Sequence, residues 1–268
     1  MKALPNMAEV QLAEAIRLVG RSGFETALWG LMRASVAPDN LIILAYGNAT
    51  SPQVLYMCSD HPRVFAEMDR TYLAGAYRLD PFYDLHLRHA PAGAYRLKDI
   101  APDAFQRSRY FIEYYEQTTL IDELTFLLYP VTGVSINICI GRDASSGRVF
   151  SAQDIAICQR LVPMVAALSE RHWAGLARAL GPAEDISALL SEAAGREKGI
   201  RLSPRQSEVA LLILRGHSTV SISLRLGLSA QTVKVFRKQL YARCQISSQA
   251  ELFALMLPLL KTAPVEQA

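Results

Sequence analysis

The sequence predicts an α+β domain over residues 1–180, followed by an all-α domain of four helices over residues 201–263. In the first part, short apolar runs bounded by turn residues alternate with helical patterns, whereas the second part shows only helical spacing behind cap residues. Residues 181–200 are rich in Gly, Pro, Ser and mixed charges, which is typical of a connection between domains. A hydrophobic content of 51% with 20% charged residues excludes a disordered chain.

The first domain alternates predicted helices and short strands. Helices are predicted at residues 6–19, 24–34, 64–76, 103–117 and 151–180, and strands at residues 41–46, 53–57, 94–97, 123–129 and 134–140. A further helical piece is predicted at residues 186–193, within the connection. Five short strands joined by turns favour an antiparallel sheet flanked by helices, which resembles sensor domains of the PAS or GAF kind.

Cap residues mark three successive helices in the second domain. The caps are Ser203, Ser218 and Ser229, and Gly216 and Gly227 end the first two helices. Gln206, three residues after the first cap, completes a capping box. Two helices joined by a short turn that contains Gly are the pattern of a helix-turn-helix.

The third of these helices carries an apolar seam and a separate polar face. The seam consists of Val233, Phe236, Leu240 and Cys244. On a different face, Lys234 and Lys238 flank Val235; lysine can donate to guanine in the major groove, and a small apolar side chain can touch a thymine methyl group. Gln231 and Thr232 stand in the first turn, where the helix favours phosphate. These residue types predict a DNA-reading surface.

Basic residues are concentrated in this segment. Residues 201–245 hold one acid, Glu208, and eight bases, namely Arg201, Arg205, Arg215, Arg225, Lys234, Arg237, Lys238 and Arg243. The remaining residues hold 20 bases and 24 acids. An ordinary surface helix would explain two lysines, but a basic footprint confined to one small helical segment favours double-stranded DNA as the partner.

Residues 202–255 resemble the DNA-binding domain of LuxR-type transcription regulators. The matching positions include Leu202-Ser203, Arg205, Glu208-Val209, Gly216, Ser218, Ile222, Leu226, Leu228-Ser229, Thr232–Val235, Arg237, Leu240–Arg243, Ile246, Ala250 and Leu252. The resemblance implies that Lys234, Val235 and Lys238 read bases and that a fourth helix, at about residues 247–260, pairs two protomers. The stripe formed by Ala250, Phe253, Ala254 and Leu257 predicts a homodimer on a pseudo-palindromic operator.

Aromatic residues crowd one part of the first domain. Seven of the 11 tyrosines lie between positions 72 and 115, which indicates either core packing or an aromatic cavity for a small molecule. Residues 72–81 resemble the Asp-Pro region of the acyl-homoserine-lactone-binding domain of LuxR-type quorum sensors, which implies that Asp80 anchors a ligand. The alternative for Asp80 is a turn or a helix cap before Pro81. The candidate effector-binding residues are Asp80, Tyr72, Tyr77, Tyr56 and Phe82.

The match to quorum sensors is incomplete beside this aspartate. Glu67 and Thr71 stand where those proteins carry Trp and Tyr, which favours a different and more polar effector than an acyl-homoserine lactone. The next acidic pair, Asp122-Glu123, could be a strand-end cap or a polar pocket wall.

Other chemistry is not predicted. The sequence contains no P-loop, GxGxxG, GxSxG or HExxH motif, so neither catalytic residues nor a cofactor are expected. The four cysteines lack metal-ligand spacing, and His86 and His89 are expected at the surface. Neither a signal peptide nor a span long enough for a membrane is recognisable, which predicts a cytoplasmic protein.

Two functions remain open from the sequence. The first is a one-component transcription regulator in which a small molecule bound in the first domain controls DNA binding. The second is a ligand-independent regulator whose first domain serves protein interaction and dimerisation. A closed polar and aromatic cavity would favour the first, and a packed core the second.

Overall fold

The computed structural model describes residues 7–48, 51–176 and 184–262. Its first domain is built on a five-stranded antiparallel sheet. Its strands are β1 (Asn40–Gly47), β2 (Gln53–Ser59), β3 (Gly93–Arg96), β4 (Leu120–Val131) and β5 (Val134–Asp143). The strand order is β2-β1-β5-β4-β3, and every neighbouring pair is antiparallel. The predicted α+β class is therefore confirmed.

Three regular helices cover one face of the sheet. They are α1 (Ala8–Leu18), α2 (Phe24–Val36) and α6 (Ala152–His172). Alternate strand residues such as Ile43, Phe126 and Ile138 point into this layer, while their neighbours point to the opposite face. The capping box predicted at Ser151 and Asp154 starts α6. This helix ends at His172 rather than near residue 180, and residues 177–180 lie outside the described part of the chain.

Short, irregular elements cover the other face. They are a π-helical turn (Met68–Tyr72), α3 (Pro81–Leu87), α4 (Leu97–Ile100), α5 (Arg109–Glu113) and 3₁₀ turns at Ala76–Leu79, Phe105–Arg107 and Tyr115–Thr118. The helices predicted at residues 64–76 and 103–117 are therefore wrong. Gly75 has φ of 145°, which a helix does not permit, and Ser108 starts a new helix inside the second range. Tyr72, Tyr77 and Tyr114 are all buried, which demands more inward-facing positions than one helical stripe provides.

The second domain is entirely helical among its described residues. Its elements are α7 (Ile186–Lys198), α8 (Pro204–Leu214), α9 (Thr219–Leu226), α10 (Ala230–Cys244) and α11 (Gln249–Thr262). Ser203, Ser218 and Ser229 each cap the helix that follows, as predicted. The helical piece predicted at residues 186–193 extends to Lys198 and packs against α8 and α11. Among the described residues, no helix is both long enough and apolar enough to cross a bilayer.

Candidate DNA-binding surface and effector cavity

The surface of α10 separates into a buried seam and an exposed face. Val233, Leu240 and Cys244 are buried against α8 and α9, and Phe236 is half-buried beside them, so the predicted seam is confirmed. Lys234 and Lys238 are exposed on the other side. Val235, between them, keeps 45% of its surface exposed, although it is apolar. Lys234, Val235 and Lys238 thus form one solvent-exposed face of α10.

The turn before α10 fixes the direction of this face. Gly227 adopts φ of 64°, and the amide of Leu228 donates to the carbonyl of Ser223 at 2.9 Å. The Ser229 hydroxyl then accepts from the amide of Thr232 at 3.0 Å. Gln231 is exposed and Thr232 half-buried in the first turn, so both lie at the helix end that favours phosphate.

The basic side chains of this domain do not all share that surface. Arg237 stacks on Tyr241, with 5.2 Å between the guanidinium carbon and the ring centroid. Arg205 pairs with Glu208 at 2.6 Å. Arg215 is buried and points at the first domain, so it does not belong to the basic footprint that the composition suggested.

A small cavity lies between the sheet and the irregular layer, and Asp80 faces it. Its volume is about 40 Å³, which is room for a water molecule but not for a drug-sized ligand. Two carboxyl groups, those of Asp80 and Glu123, face it, and we call it the carboxyl cavity. The other lining residues are Ile42, Leu44, Val64, Phe65, Met68, Tyr72, Phe82, Tyr110, Tyr114, Tyr115, Thr118, Leu120 and Cys139.

Asp80 both caps a helix and faces this cavity. Its Oδ1 accepts from the amide of Phe82 at 2.8 Å, which caps α3. Its Oδ2 accepts from the hydroxyl of Tyr72 at 2.7 Å, and Tyr72 in turn lies 2.6 Å from the hydroxyl of Tyr46. Burial raises the pKa of Asp80 to about 6, against the lowering effect of these donors and of Arg215. The helix-cap and cavity interpretations of Asp80 therefore hold together.

Glu123 is the cavity residue that the sequence left undecided. Strand alternation turns Glu123, Thr125 and Leu127 toward the cavity side, while Leu124 and Phe126 join the other layer. The hydroxyl of Tyr115 donates to Glu123 at a long 3.4 Å. Burial, followed by the nearby Asp80 charge, raises the pKa of Glu123 to about 8. A carboxylate within an otherwise apolar strand was the signal that pointed to this position.

Asp122 has a different and structural role. The strand register shifts between Leu120 and Asp122, so the side chain of Asp122 turns away from the carboxyl cavity. It forms a two-pronged pair with Arg96, at 2.9 and 2.6 Å, and accepts from the amide of Phe150 at 2.8 Å. The acidic pair thus divides into a structural ion pair and a cavity wall.

Two of the predicted effector residues lie elsewhere. Tyr77 packs on Tyr83, with ring centroids 4.9 Å apart, and faces Arg78. Tyr56 lies on β2 in the layer of α2 and α6, on the opposite face of the sheet. Tyr72, Asp80 and Phe82 are brought together at the cavity, whereas Tyr56 and Tyr77 are not.

One histidine differs from the sequence expectation. His86 is buried rather than exposed, and its Nδ1 lies 2.9 Å from the hydroxyl of Ser135. Its ring stacks on Tyr83, and burial lowers its pKa to about 4, so it remains neutral at physiological pH. Among the described residues, no group of His, Cys, Asp and Glu side chains is arranged to hold a metal ion.

An open groove adjoins the carboxyl cavity. We call it the side groove; it has a volume of about 500 Å³ and is lined by residues 97–98, 101–107, 111, 115 and 121–123. Tyr115 and Glu123 line both spaces and therefore form the wall between them. Glu123 accordingly keeps part of its surface exposed.

The segment of residues 70–84 touches the second domain on the side away from the cavity. The guanidinium of Arg78 binds Glu184 at 2.6 Å and donates to the carbonyl of Leu260. Arg215 binds Asp84 at 2.6 Å and donates to the carbonyl of Arg78 at 3.2 Å. These charged side chains are almost completely buried.

The side groove also borders the second domain. The amide of Ala104 donates to the carbonyl of Gly216 at 3.0 Å, and the amide of Ser218 donates to Asp103 at 2.9 Å. A Cβ atom at Gly216 would lie 2.8 Å from the Cα atom of Phe105, so only glycine permits this approach. Gly216 thus ends α8, as predicted, and also seats the turn on the first domain.

The apolar stripe predicted on α11 is only partly available to a second protomer. Phe253 is 2% exposed and packs within its own protomer, so the prediction was wrong for this residue. Ala254 is exposed, and Ala250 and Leu257 are half-buried. The helix is apolar on more sides than the sequence stripe suggested, because it also packs against α5, α7 and α8.

Comparison with known proteins agrees with both domains. Residues 201–256 match the family described as bacterial regulatory proteins, luxR family. An Aeromonas salmonicida protein, described as an HTH-type transcriptional regulator in the exeN 3′ region, is 30% identical over 192 residues, which are 69% of this chain and 97% of that protein.

Solved structures resemble the chain at lower identity. The ligand-binding domain of VqsR from Pseudomonas aeruginosa aligns with a TM-score of 0.53 and 23% identity, over 64% of this chain and 99% of that domain. SdiA from Escherichia coli aligns with a TM-score of 0.42 and 13% identity, over 95% of this chain and 99% of that one. The VqsR likeness shows a shared fold for the first domain. With the helix-turn-helix and the extent of the Aeromonas match, it follows that the chain belongs to the LuxR family of bacterial HTH-type transcription regulators.

Proposed function

We propose that this DNA-binding regulator is a one-component switch, in which a small effector in the carboxyl cavity controls the position of the helix-turn-helix. The observation that carries the proposal is the two-sided segment of residues 70–84. Tyr72, Asp80 and Phe82 face the cavity, while Arg78 and Asp84 hold the second domain. A ligand that moves one side of so short a segment also moves the other.

The coupling has a simple physical basis. Asp80 caps α3, and Asp84 lies one helical turn further along the same helix. An effector that binds the remaining acceptor positions of the Asp80 carboxyl pulls on the group that caps α3, and therefore shifts α3. Since Asp84 binds Arg215, this shift changes the docking of α8 and of the helix-turn-helix behind it. An effector can move this equilibrium only by binding the two docking states with different affinity.

The proposed DNA readout uses the exposed face of α10. Lys234, Val235 and Lys238 are placed to read base edges, and Arg237, Gln231 and Thr232 to contact phosphates. Two such faces, related by a two-fold axis, fit a pseudo-palindromic operator. The proposed homodimer uses the exposed part of α11 together with the first domain, and we expect it to act in the cytoplasm, where the operator lies.

The alternative is a ligand-independent regulator, and the size of the cavity favours it. A volume of about 40 Å³ admits no effector unless side chains move. The composition of the wall favours an effector nevertheless. Carboxyl groups that are largely shielded from water cost free energy that a purely structural core avoids by using apolar side chains, and here two partly buried ones face one space.

The test begins with a DNA site selected in vitro by the full-length protein. Gel-shift titrations with that site measure its affinity, and the same titrations are repeated with each compound of a metabolite library. The proposal predicts that at least one compound raises the melting temperature of the protein and also changes its affinity for DNA. Specific DNA binding that no compound changes would support the ligand-independent alternative.

A further inference from the structure

We propose that the carboxyl cavity is built for an organic cation, whose ammonium or guanidinium group lies between Asp80 and Glu123 and whose remainder follows the side groove. This inference rests on the proposed effector function and adds the chemical class of the effector. It starts from a count of hydrogen bonds around the two carboxyl groups.

The carboxyl groups of Asp80 and Glu123 offer more acceptor positions than the surrounding donors fill. A carboxylate offers about four acceptor positions, and Asp80 uses two of them, for the amide of Phe82 and the hydroxyl of Tyr72. Glu123 receives the Tyr115 hydroxyl at 3.4 Å, well beyond the usual length of such a bond. Both groups therefore retain acceptor positions toward the cavity, and a ligand that brings several donors satisfies them. An ammonium group brings three donors and a guanidinium group five.

The rest of the wall suits a positive charge. Six aromatic side chains line the cavity, namely Phe65, Tyr72, Phe82, Tyr110, Tyr114 and Tyr115. Aromatic faces attract cations, most strongly where water is excluded. The lining residues include no Lys, Arg or His. An anionic ligand would face two carboxyl groups without a cationic side chain among the lining residues to offset their charge.

A metal ion is a poorer occupant than an organic cation. The described part of the chain contains no group of three His, Cys, Asp or Glu side chains at ligand distance. Large aromatic rings around the carboxyl groups exclude the water molecules that hard metal ions retain. The same rings pack well on the methylene groups next to an amine.

The side groove supplies the space that the cavity lacks. Tyr115 and Glu123 line both spaces and lie on the boundary between them. Tyr115 belongs to the 3₁₀ turn Tyr115–Thr118, and only the long bond to Glu123 holds its hydroxyl among the described hydrogen bonds. The cavity has a volume of about 40 Å³ and the groove about 500 Å³. The proposal requires the Tyr115 ring, which now stacks on Phe111 with centroids 5.2 Å apart, to turn aside so that the two spaces join. A ligand that places its charge inside then lays its remaining atoms along residues 101–107, next to the contacts with Gly216 and Ser218.

The experiment compares probes that share one hexyl chain, with the full-length protein. Hexylamine and hexyltrimethylammonium carry the charge, hexan-1-ol is neutral and hexanoate is anionic. Binding is measured by calorimetry and by thermal shift at pH 8. We expect binding of hexylamine that stabilises the protein, and at least tenfold weaker binding of hexan-1-ol and hexanoate. Hexyltrimethylammonium, which donates no hydrogen bond, separates the cation–π contribution from the contribution of the acceptors.

Variants locate the bound charge. Glu123→Gln and Asp80→Asn keep the shape of the side chain. Each should weaken the binding of hexylamine at least tenfold and leave the binding of hexan-1-ol unchanged. Glu116→Gln removes the same charge from an exposed position of the turn that carries Tyr115, and should leave hexylamine binding unchanged. Circular dichroism confirms the fold of each variant.

The outcomes separate this inference from the proposed function. If hexan-1-ol or hexanoate binds as tightly as hexylamine, or if Glu123→Gln binds hexylamine normally, the cation assignment is overturned while an effector site remains. If none of the probes binds, the cation assignment is also overturned. The library titrations with DNA then decide independently whether any effector exists.

Discussion

Asp84 of the first domain accepts a hydrogen bond from Arg215 of the helix-turn-helix domain at 2.6 Å, one helical turn after the Asp80 cap. Arg215 also donates to the carbonyl of Arg78, so a single guanidinium fastens two parts of the same segment. The carboxyl cavity and the helix-turn-helix domain are therefore separated by one short helix, α3.

The first prediction concerns this contact. Asp84→Asn keeps an acceptor oxygen but removes the charge that Arg215 faces. A neutral hydrogen bond then replaces the charge-assisted one and the guanidinium loses its counter-ion, which weakens docking of the domains by about 1.5–3 kcal/mol. Each 1.4 kcal/mol is a tenfold change in an equilibrium, so limited proteolysis between the domains should become at least tenfold faster. The exposed Asp60→Asn is the matched control. Equal cleavage of Asp84→Asn and wild type would show that this contact does not hold the domains together.

The second prediction concerns base readout. Lys234→Ala and Lys238→Ala should each weaken specific DNA binding by about 1–3 kcal/mol and leave thermal stability unchanged, because both side chains are exposed. Lys198→Ala, exposed on α7, should bind DNA as the wild type does. Gel-shift titrations at fixed salt measure the three variants. If Lys234→Ala and Lys238→Ala both bound DNA with unchanged affinity, the assignment of α10 to the major groove would be wrong.

The third prediction separates the two sides of α11. Ala254→Glu places a charge on the exposed side and should convert a dimer into a monomer in sedimentation experiments, without loss of stability. Phe253→Ala should instead reduce the free energy of unfolding by about 3–5 kcal/mol, because this ring is buried within the protomer. A wild-type protein that sediments only as a monomer, with and without DNA, would contradict the dimer.

The fourth prediction concerns pH. The pKa of Glu123 is raised from 4.5 to about 8, so the folded state holds this proton over a range in which the unfolded chain has released it. Its stabilising contribution is present below pH 4.5 and is lost as the pH rises through 8, by at most about 1.4 kcal/mol per pH unit. Asp80 behaves in the same way between pH 3.8 and about 6. Access to the side groove reduces the slope of Glu123 below this limit.

The measurement for this prediction is urea denaturation between pH 6 and 8. Glu123→Gln should flatten the decline of stability and be the more stable protein at pH 8, whereas Glu116→Gln should follow the wild type. The charged and titratable groups that face Glu123 and Asp80 are Tyr46, Tyr72, Tyr110, Tyr114, Tyr115, Asp122, Cys139 and Arg215. The pKa values of the five tyrosines are raised above 10, so the tyrosine hydroxyls remain neutral between pH 6 and 8. If the stability of the wild type and of Glu123→Gln declined in parallel with pH, Glu123 would not be the source of the decline.

The helix-turn-helix could be predicted from the sequence because its signals are local. Each serine cap and each terminal glycine acts within one turn of its own helix, and the spacing of Val233, Leu240 and Cys244 needs no partner to be recognised. Strand positions were also predictable, since apolar runs and turn residues mark them.

The layer around the cavity could not be predicted in the same way. Residues 64–118 fold as short turns because many large aromatic side chains must reach the sheet, and this requirement is set by tertiary packing. The sequence identified Asp80 but misplaced Tyr56, since the side of the sheet that a strand residue faces depends on strand register. It also misplaced Tyr77, which lies in a 3₁₀ turn and packs on Tyr83. The burial of Arg215 depends on docking between the domains, which no local pattern records.

We propose that the carboxyl cavity and the DNA-binding surface are thermodynamically linked. The most direct measurement is the affinity of the full-length protein for hexylamine, or for a compound from the library, with and without saturating selected DNA. Linkage requires that DNA change the affinity for the effector by the same factor by which the effector changes the affinity for DNA. We predict a shared factor of about 5–150, the usual range of such coupling. If the affinity for the effector were identical in the presence and absence of DNA, the cavity and the DNA-binding surface would not be linked.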